Sequence, residues 1–348
     1  MREYGSFIEG TYNSKKNILS IIGECCNFGL FRSGRDILSY IAACHKNRKN
    51  LIMPEYFCES MIKPFENNNF EVLFYALNAD FSPCTNKLFE LVNIYPDAIL
   101  MLVDYYGYTD FNPLKIQIKE FYPNLLIIED ATHDLNKILV PNNAVDFTLC
   151  SLRKWLPIPD GAICVSNTHS FEILEDENNF FTEQKRMAMR EKTLYLSDKS
   201  TTRKEKFLNL NSIAENFIAF SSNPVGISKL SQIILSVLDI EAIIEKRKYN
   251  YTILDVILRK TLSKELLLSP NPGGTFMYPL YLDNRNEIQQ KLAKKGLYSQ
   301  ILWPQYLKTC MCSHSKKFYD KLLAIPIDQR YSSDDMDDIA HILIETLK

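Results

Sequence analysis

Leu125-Leu-Ile-Ile-Glu-Asp130-Ala-Thr-His133 opens as an apolar run and closes on an acid, a hydroxyl and an imidazole. Four consecutive apolar residues bounded by polar ones mark a strand covered on both faces. Ile99-Leu-Met-Leu-Val103 is of the same kind, and similar segments recur at Leu51–Met53, Glu71–Tyr75, Phe147–Ser151 and Ala162–Ser166. Ile99–Asp104 and Leu125–Glu129 complete the set of expected strands. Helical patterns separate them, as at Asp36–His45 and Pro113–Phe121. Strand–helix alternation over this length predicts an α/β domain on a mainly parallel sheet. Ligands bind beyond the carboxyl ends of such strands. Asp130 and His133 therefore fall where a site belongs, unless the acid caps the next turn and the ring packs.

Composition narrows the classes. The chain has 348 residues, of which 46% are apolar and 24% charged, with a formal net charge of −2. That is too apolar and too balanced for a disordered chain. A pI near 6.3 supplies no basic field for nucleic acid or an anionic membrane. No apolar run reaches the ~18 residues a spanning helix needs, and Met1-Arg-Glu-Tyr-Gly-Ser lacks a signal-peptide pattern. A cytoplasmic location is expected. Nine cysteines, an odd number set mostly among apolar residues, read as buried thiols. Cys310 and Cys312 stand near His314, but the spacing does not suit a zinc site and no metal is expected.

Two further segments bear on chemistry. Ser33-Gly34-Arg35-Asp36 opens a helix pattern, with Ser33 and Asp36 at capping-box spacing. The free N–H groups of such an end bind anions, and a glycine there lets a phosphate approach the backbone. An ordinary cap would look the same. Ser151-Leu-Arg-Lys154-Trp-Leu-Pro-Ile-Pro-Asp-Gly161 follows a buried strand directly. A lysine partly withdrawn from water there can form a Schiff base, with Ser151 as a phosphate donor; an exposed basic pair is the alternative. The order of an anion-binding helix start, an acid at a strand end and a lysine 24 residues later suits pyridoxal 5′-phosphate.

Residues 178–222 turn polar and charged, as in Glu183-Gln-Lys-Arg, and read as a connecting or lid segment of a large domain, 1–222. Residues 223–348 then supply a long amphipathic helix, Ile227–Tyr251, and a small α+β domain. Expected there are a strand at Met277–Leu282, a helix at Arg285–Lys295 and a short strand near Ile301. A final helix from about Asp334 is expected to be capped by Ser332, with Asp335 at its third position.

In Phe31-Arg-Ser-Gly-Arg35, Pro54-Glu-Tyr-Phe-Cys58, Asp104-Tyr-Tyr-Gly107, Glu129–His133 and Ser151–Gly161, the chain resembles the DegT/DnrJ/EryC1/StrS aminotransferases of fold type I. Leu297–Trp303 and Ile325–Arg330 extend the resemblance almost to the end. It implies a homodimer in which Lys154 is the Schiff-base lysine and proton shuttle and Asp130 pairs with the pyridine nitrogen. His133 stands near the phenolic oxygen, where the family usually has Gln. Gly34 and Arg35 would offer backbone N–H groups to the phosphate, with Ser33 and Ser151 beside them. Tyr56 or Phe57, or else Asp104-Tyr105, would supply the ring face. Arg330 would hold the donor's carboxylate, and Asn223 matches loosely a partner-chain phosphate ligand. The usual Gly-Glu-Gly-Gly after the lysine is here Pro-Ile-Pro-Asp-Gly. The resemblance further implies an amino donor, glutamate, and a nucleotide-linked keto-sugar acceptor in surface-polysaccharide or related biosynthesis. A small phosphorylated ketone, an amino acid, or a non-catalytic cofactor-binding regulator are the alternatives.

Overall fold

The computed structural model describes residues 4, 17–23, 26–140, 144–172, 174, 180–219, 221, 223–271, 273–305 and 312–348. Cys25 and Cys310 lie outside the described residues, as do 178–179, 220 and 222 of the connecting segment. A seven-stranded sheet is built from β1 (Asn27–Phe31), β2 (Asn50–Pro54), β3 (Glu71–Tyr75), β4 (Ile99–Val103), β5 (Leu126–Asp130), β6 (Phe147–Cys150) and β7 (Ala162–Ser166). Its order is β1-β7-β6-β5-β4-β2-β3. The pairs from β6 through β5, β4 and β2 to β3 are parallel. Every residue of β4 and β5 is buried, which explains their unbroken apolar runs.

β7 runs antiparallel to both β6 and β1. Only Ser151–Gly161 joins it to β6, too short a link for the crossover that a parallel neighbour needs. β1 was not among the expected strands. It is a short edge strand around Gly29, where an added Cβ would come within 2.8 Å of the Phe31 and Phe171 rings.

A second core lies towards the C-terminus. β8 (Met277–Tyr281) pairs antiparallel with β9 (Leu322–Pro326). Leu254, Leu258, Leu280, Leu323, Ile325 and Ile339 pack together there, and Tyr4 joins them. Ser332 and Asp335 form the capping box of the helix Ser333–Leu347. The stretch Ile227–Tyr251 is two helices rather than one, Lys229–Leu235 and Ile240–Thr261. Asp239 accepts the Ala242 N–H at 3.0 Å and starts the second helix afresh. No strand forms at Ile301; Gln300 alone bridges Ala324. The polar segment folds into a hairpin of two helices, Phe180–Asp198 and Thr201–Ala219. Among the described residues no helix is long and apolar enough to cross a membrane.

Candidate active site

β4, β5 and β6 end side by side, and their last residues and successors face one cavity. Ser33, Gly34 and Arg35 line it from the start of the helix Gly34–Cys44. Asp104, Asp130, His133, Ser151 and Lys154 line it from the strand ends. These residues lie up to 121 positions apart, from Ser33 to Lys154. The sheet order brings them together.

Asp130 closes β5. Its Oδ1 accepts the Thr132 N–H at 2.9 Å. Burial raises its pKa, against the pull of the Thr132 bonds and the Lys154 charge. His133 stacks on Phe276, centroids 4.2 Å apart at 12°, and lies at 15° to Trp303. Burial first, then Lys154, holds its pKa well below the usual imidazole value. Because Nδ1 accepts the Tyr106 N–H at 3.4 Å, the neutral ring carries its proton on Nε2. Tyr106 itself sits in the left-handed region at φ 58°, with its carbonyl held by Asn271. That conformation is costly for a tyrosine and is held only by its surroundings.

Lys154 ends a 3-10 turn, Leu152–Lys154. Trp155 anchors that turn. Its indole donates to the Thr132 carbonyl at 2.8 Å, the Arg247 guanidinium lies 4.5 Å from its ring, and Gln329 bonds its carbonyl. The hydrophobic neighbours thus lie beneath the turn, and Lys154 is exposed rather than withdrawn from water. Its backbone N–H donates to the Ser151 carbonyl at 3.1 Å, and its Nζ makes no hydrogen bond or ion pair among the described residues.

The anion pole differs in detail from the expectation. Ser33 is engaged in its cap, where it accepts the Asp36 N–H at 3.3 Å and donates to the Asp36 carboxylate. Asp36 is also bound by buried Arg32 at 2.6 Å. Arg35 contributes more than backbone: its Nε and Nη1 are buried without a hydrogen-bond partner. Burial lowers its pKa, against the attraction of Glu215. A Cβ added at Gly34 would stand 3.8 Å from the Ser151 Cβ, so the glycine and the serine face each other.

Four expected residues lie elsewhere. Tyr56 is in the core against Tyr105, Trp303, Phe318 and Tyr319. Phe57 stacks on Phe74. Cys58, Ser60 and Met61 line the wall in their place, and the aromatic lining is His133 and Trp303. Of the alternative pair, Asp104 lines the cavity and Tyr105 is fully buried. Arg330 is held by Asp328, through Nε at 2.6 Å and Nη2 at 2.8 Å, and is not in the wall. Asn223, matched to a ligand of the partner chain's phosphate rather than its own, is exposed.

A wider cavity shares Cys58, Ser60, His133, Arg153, Lys154 and Trp303 with the first. Lys185, Asn211 and Glu215 reach it from the helical hairpin. Beneath the inner site lies an ion network that the sequence did not disclose. Lys137 holds Asp104 at 2.7 Å and Glu129 at 3.1 Å, and Lys115 holds Glu129 at 2.7 Å. Burial pushes the Asp104 carboxyl up to about 7 despite Lys137.

The strand order, with one antiparallel strand beside a parallel set and a small C-terminal domain, defines the fold-type I architecture of pyridoxal-phosphate-dependent transferases. By sequence alone the chain matches no family model and no curated protein. Its fold is similar to that of a DegT DnrJ EryC1 StrS aminotransferase from Brucella abortus, with TM-score 0.64 and 16% identity over 95% of this chain and 90% of that one. It is similar also to PseC of Helicobacter pylori, an aminotransferase involved in the biosynthesis of pseudoaminic acid, with TM-score 0.65 and 15% identity over 97% and 93%. A Streptococcus pneumoniae protein in its PLP-form gives TM-score 0.64 and 12% identity over 97% and 93%. At these identities the likeness is one of fold.

Proposed function

We propose that this chain is a pyridoxal-phosphate-dependent aminotransferase that moves an amino group from glutamate to the keto group of a nucleotide-linked sugar. One observation carries the reading. An unpaired lysine amine, a buried carboxylate at a strand end and an unbonded guanidinium beside a glycine helix start all face one cavity. The names of the structural neighbours support the same activity, and those of a Streptococcus pneumoniae and a Micromonospora echinospora neighbour, each printed as a sugar aminotransferase, support a sugar substrate. A homodimer in the cytoplasm belongs to this reading.

The residues fit the cofactor at each pole. Arg35, Ser151 and the backbone at Gly34 would hold the phosphate, where positive charge and N–H donors face open space. Asp130 would hold the ring nitrogen, and Lys154 would take the aldehyde carbon. When bound, the cofactor supplies an electron-withdrawing ring that acidifies the donor's α-carbon. Around it Asp130 would keep a proton on the ring nitrogen, a charge pairing that would relieve its own unfavourable burial. His133 offers Nε2–H and a flat apolar face. Lys154 Nζ, free of partners, would accept and return a proton.

Incubating the purified protein and cofactor with glutamate tests the reading. Release of 2-oxoglutarate, followed by amine transfer to a keto-sugar nucleotide seen by mass spectrometry, is the expected result. Cofactor binding with no donor converted would favour the regulatory alternative.

A further inference from the structure

Resting on that reading, we infer that Arg153 and Lys185 form the docking point for the amino donor's carboxylate. We infer further that Glu215 fills this point from within until a donor displaces it. Arg247 is fully engaged, donating to Gln329 and to the carbonyls of Thr275, Phe276 and Trp155. Arg330, the residue first expected to bind a carboxylate, is outside the wall and forked onto Asp328. Arg153 directly precedes Lys154 and lines the same space.

Arg153 already holds a carboxylate in the manner a donor needs. Its Nη1 and Nη2 meet the two oxygens of Glu215 at 2.6 and 3.2 Å, the bidentate geometry that selects a carboxylate. Lys185 reaches the same oxygen, Oε1, at 2.6 Å. Phe181 lies under both cations, 5.6 Å from each. Glu215 is thus a tethered carboxylate beside the reactive lysine.

The tether can give way. The hairpin Phe180–Ala219 packs largely on itself, in two small clusters apart from the main core. One joins Ala188, Tyr195, Phe207 and Leu210; the other joins Phe181, Ala214 and Ile218. Segments with few contacts to the core open at low free-energy cost. The Glu215 side chain is 42% exposed, so solvent and a competing anion reach it. A donor carboxylate would take the fork, release Glu215 and loosen the hairpin over the site.

The test uses the full chain without cofactor and the probe glutarate, which carries carboxylates but no amine. Calorimetric titration should show Arg153→Met weakening glutarate binding about 10- to 100-fold, the span of lost charge-assisted bonds. Arg153→Lys should fall between, and Glu215→Gln should bind several-fold more tightly than the parent. Glutarate should also speed amide exchange across residues 180–219 of the parent. With cofactor, Arg153→Met should raise the KM for glutamate and leave borohydride labelling of Lys154 intact. Unchanged glutarate affinity in Arg153→Met, or weaker binding in Glu215→Gln, would overturn the inference. Loss of labelling in the parent would instead overturn the cofactor reading.

Discussion

Replacing Arg35 with methionine should change the protein in two opposite directions. The guanidinium has two donors, Nε and Nη1, buried without a partner at the edge of the cavity. A hydrogen bond from a charged group to an anion contributes roughly 1.5–3 kcal/mol. Because the side chain is only half-buried, a combined loss of about 2 kcal/mol is the appropriate scale, or roughly 30-fold in affinity for pyridoxal phosphate. Without cofactor the sign reverses, since the unbonded buried cation costs on the order of 1 kcal/mol. In a chain of this size that amounts to a melting temperature higher by about 1–2 °C. Quenching of the two tryptophans, Trp155 and Trp303, reports cofactor binding. Thermal melts with and without cofactor, or with inorganic phosphate, report stability. Unchanged affinity together with a lower melting temperature would mean that Arg35 is a structural residue, and would refute the assignment of the anion pole.

Two other positions give independent checks. The Asp104 carboxyl, pushed up to about 7 by burial, binds its proton more tightly in the folded than in the unfolded chain. It therefore makes the protein less stable as pH rises from the ordinary carboxylate range to about 7, by on the order of 4 kcal/mol. Asp104→Asn should flatten the dependence of melting temperature on pH between 5 and 7.5, and an unchanged slope would contradict this. Gly161 has φ 142°, and an added Cβ would stand 2.7 Å from Ile158 Cδ1. Gly161→Ala should cost about 1–3 kcal/mol in thermal melts. Because the Gly161 carbonyl accepts the Arg153 N–H at 3.0 Å, the same variant should also slow trapping of Lys154.

What the sequence disclosed follows from what is local in it. β4 and β5 were legible because residues buried on both faces leave an unbroken apolar run. β1 was not, because a five-residue edge strand around a glycine has no such run. The break before Ile240 was hidden because the apolar stripe continues across it and the new start is marked by the Asp239 side chain, which caps the Ala242 N–H. In the site, the lysine, the acid and the helix start each sit beside a strong local signal. Tyr56 and Phe57 misled because an aromatic near a strand end reads alike whether it turns to the cavity or to the core. Arg330 misled because its partner, Asp328, is only two residues away and takes the Nε–Nη2 edge of the guanidinium. Glu215 and Lys185 lie on ordinary charged helices, and only the fold of the hairpin brings them to Arg153.

Lys154 is the amine proposed to hold the cofactor. Pyridoxal phosphate should give the purified protein a visible chromophore that borohydride bleaches, and peptide mapping should find the reduced pyridoxyl group on Lys154. Lys154→Ala should neither develop the chromophore nor carry the label. A protein that binds no cofactor, or one labelled at another lysine with Lys154→Ala unaffected, would contradict the account.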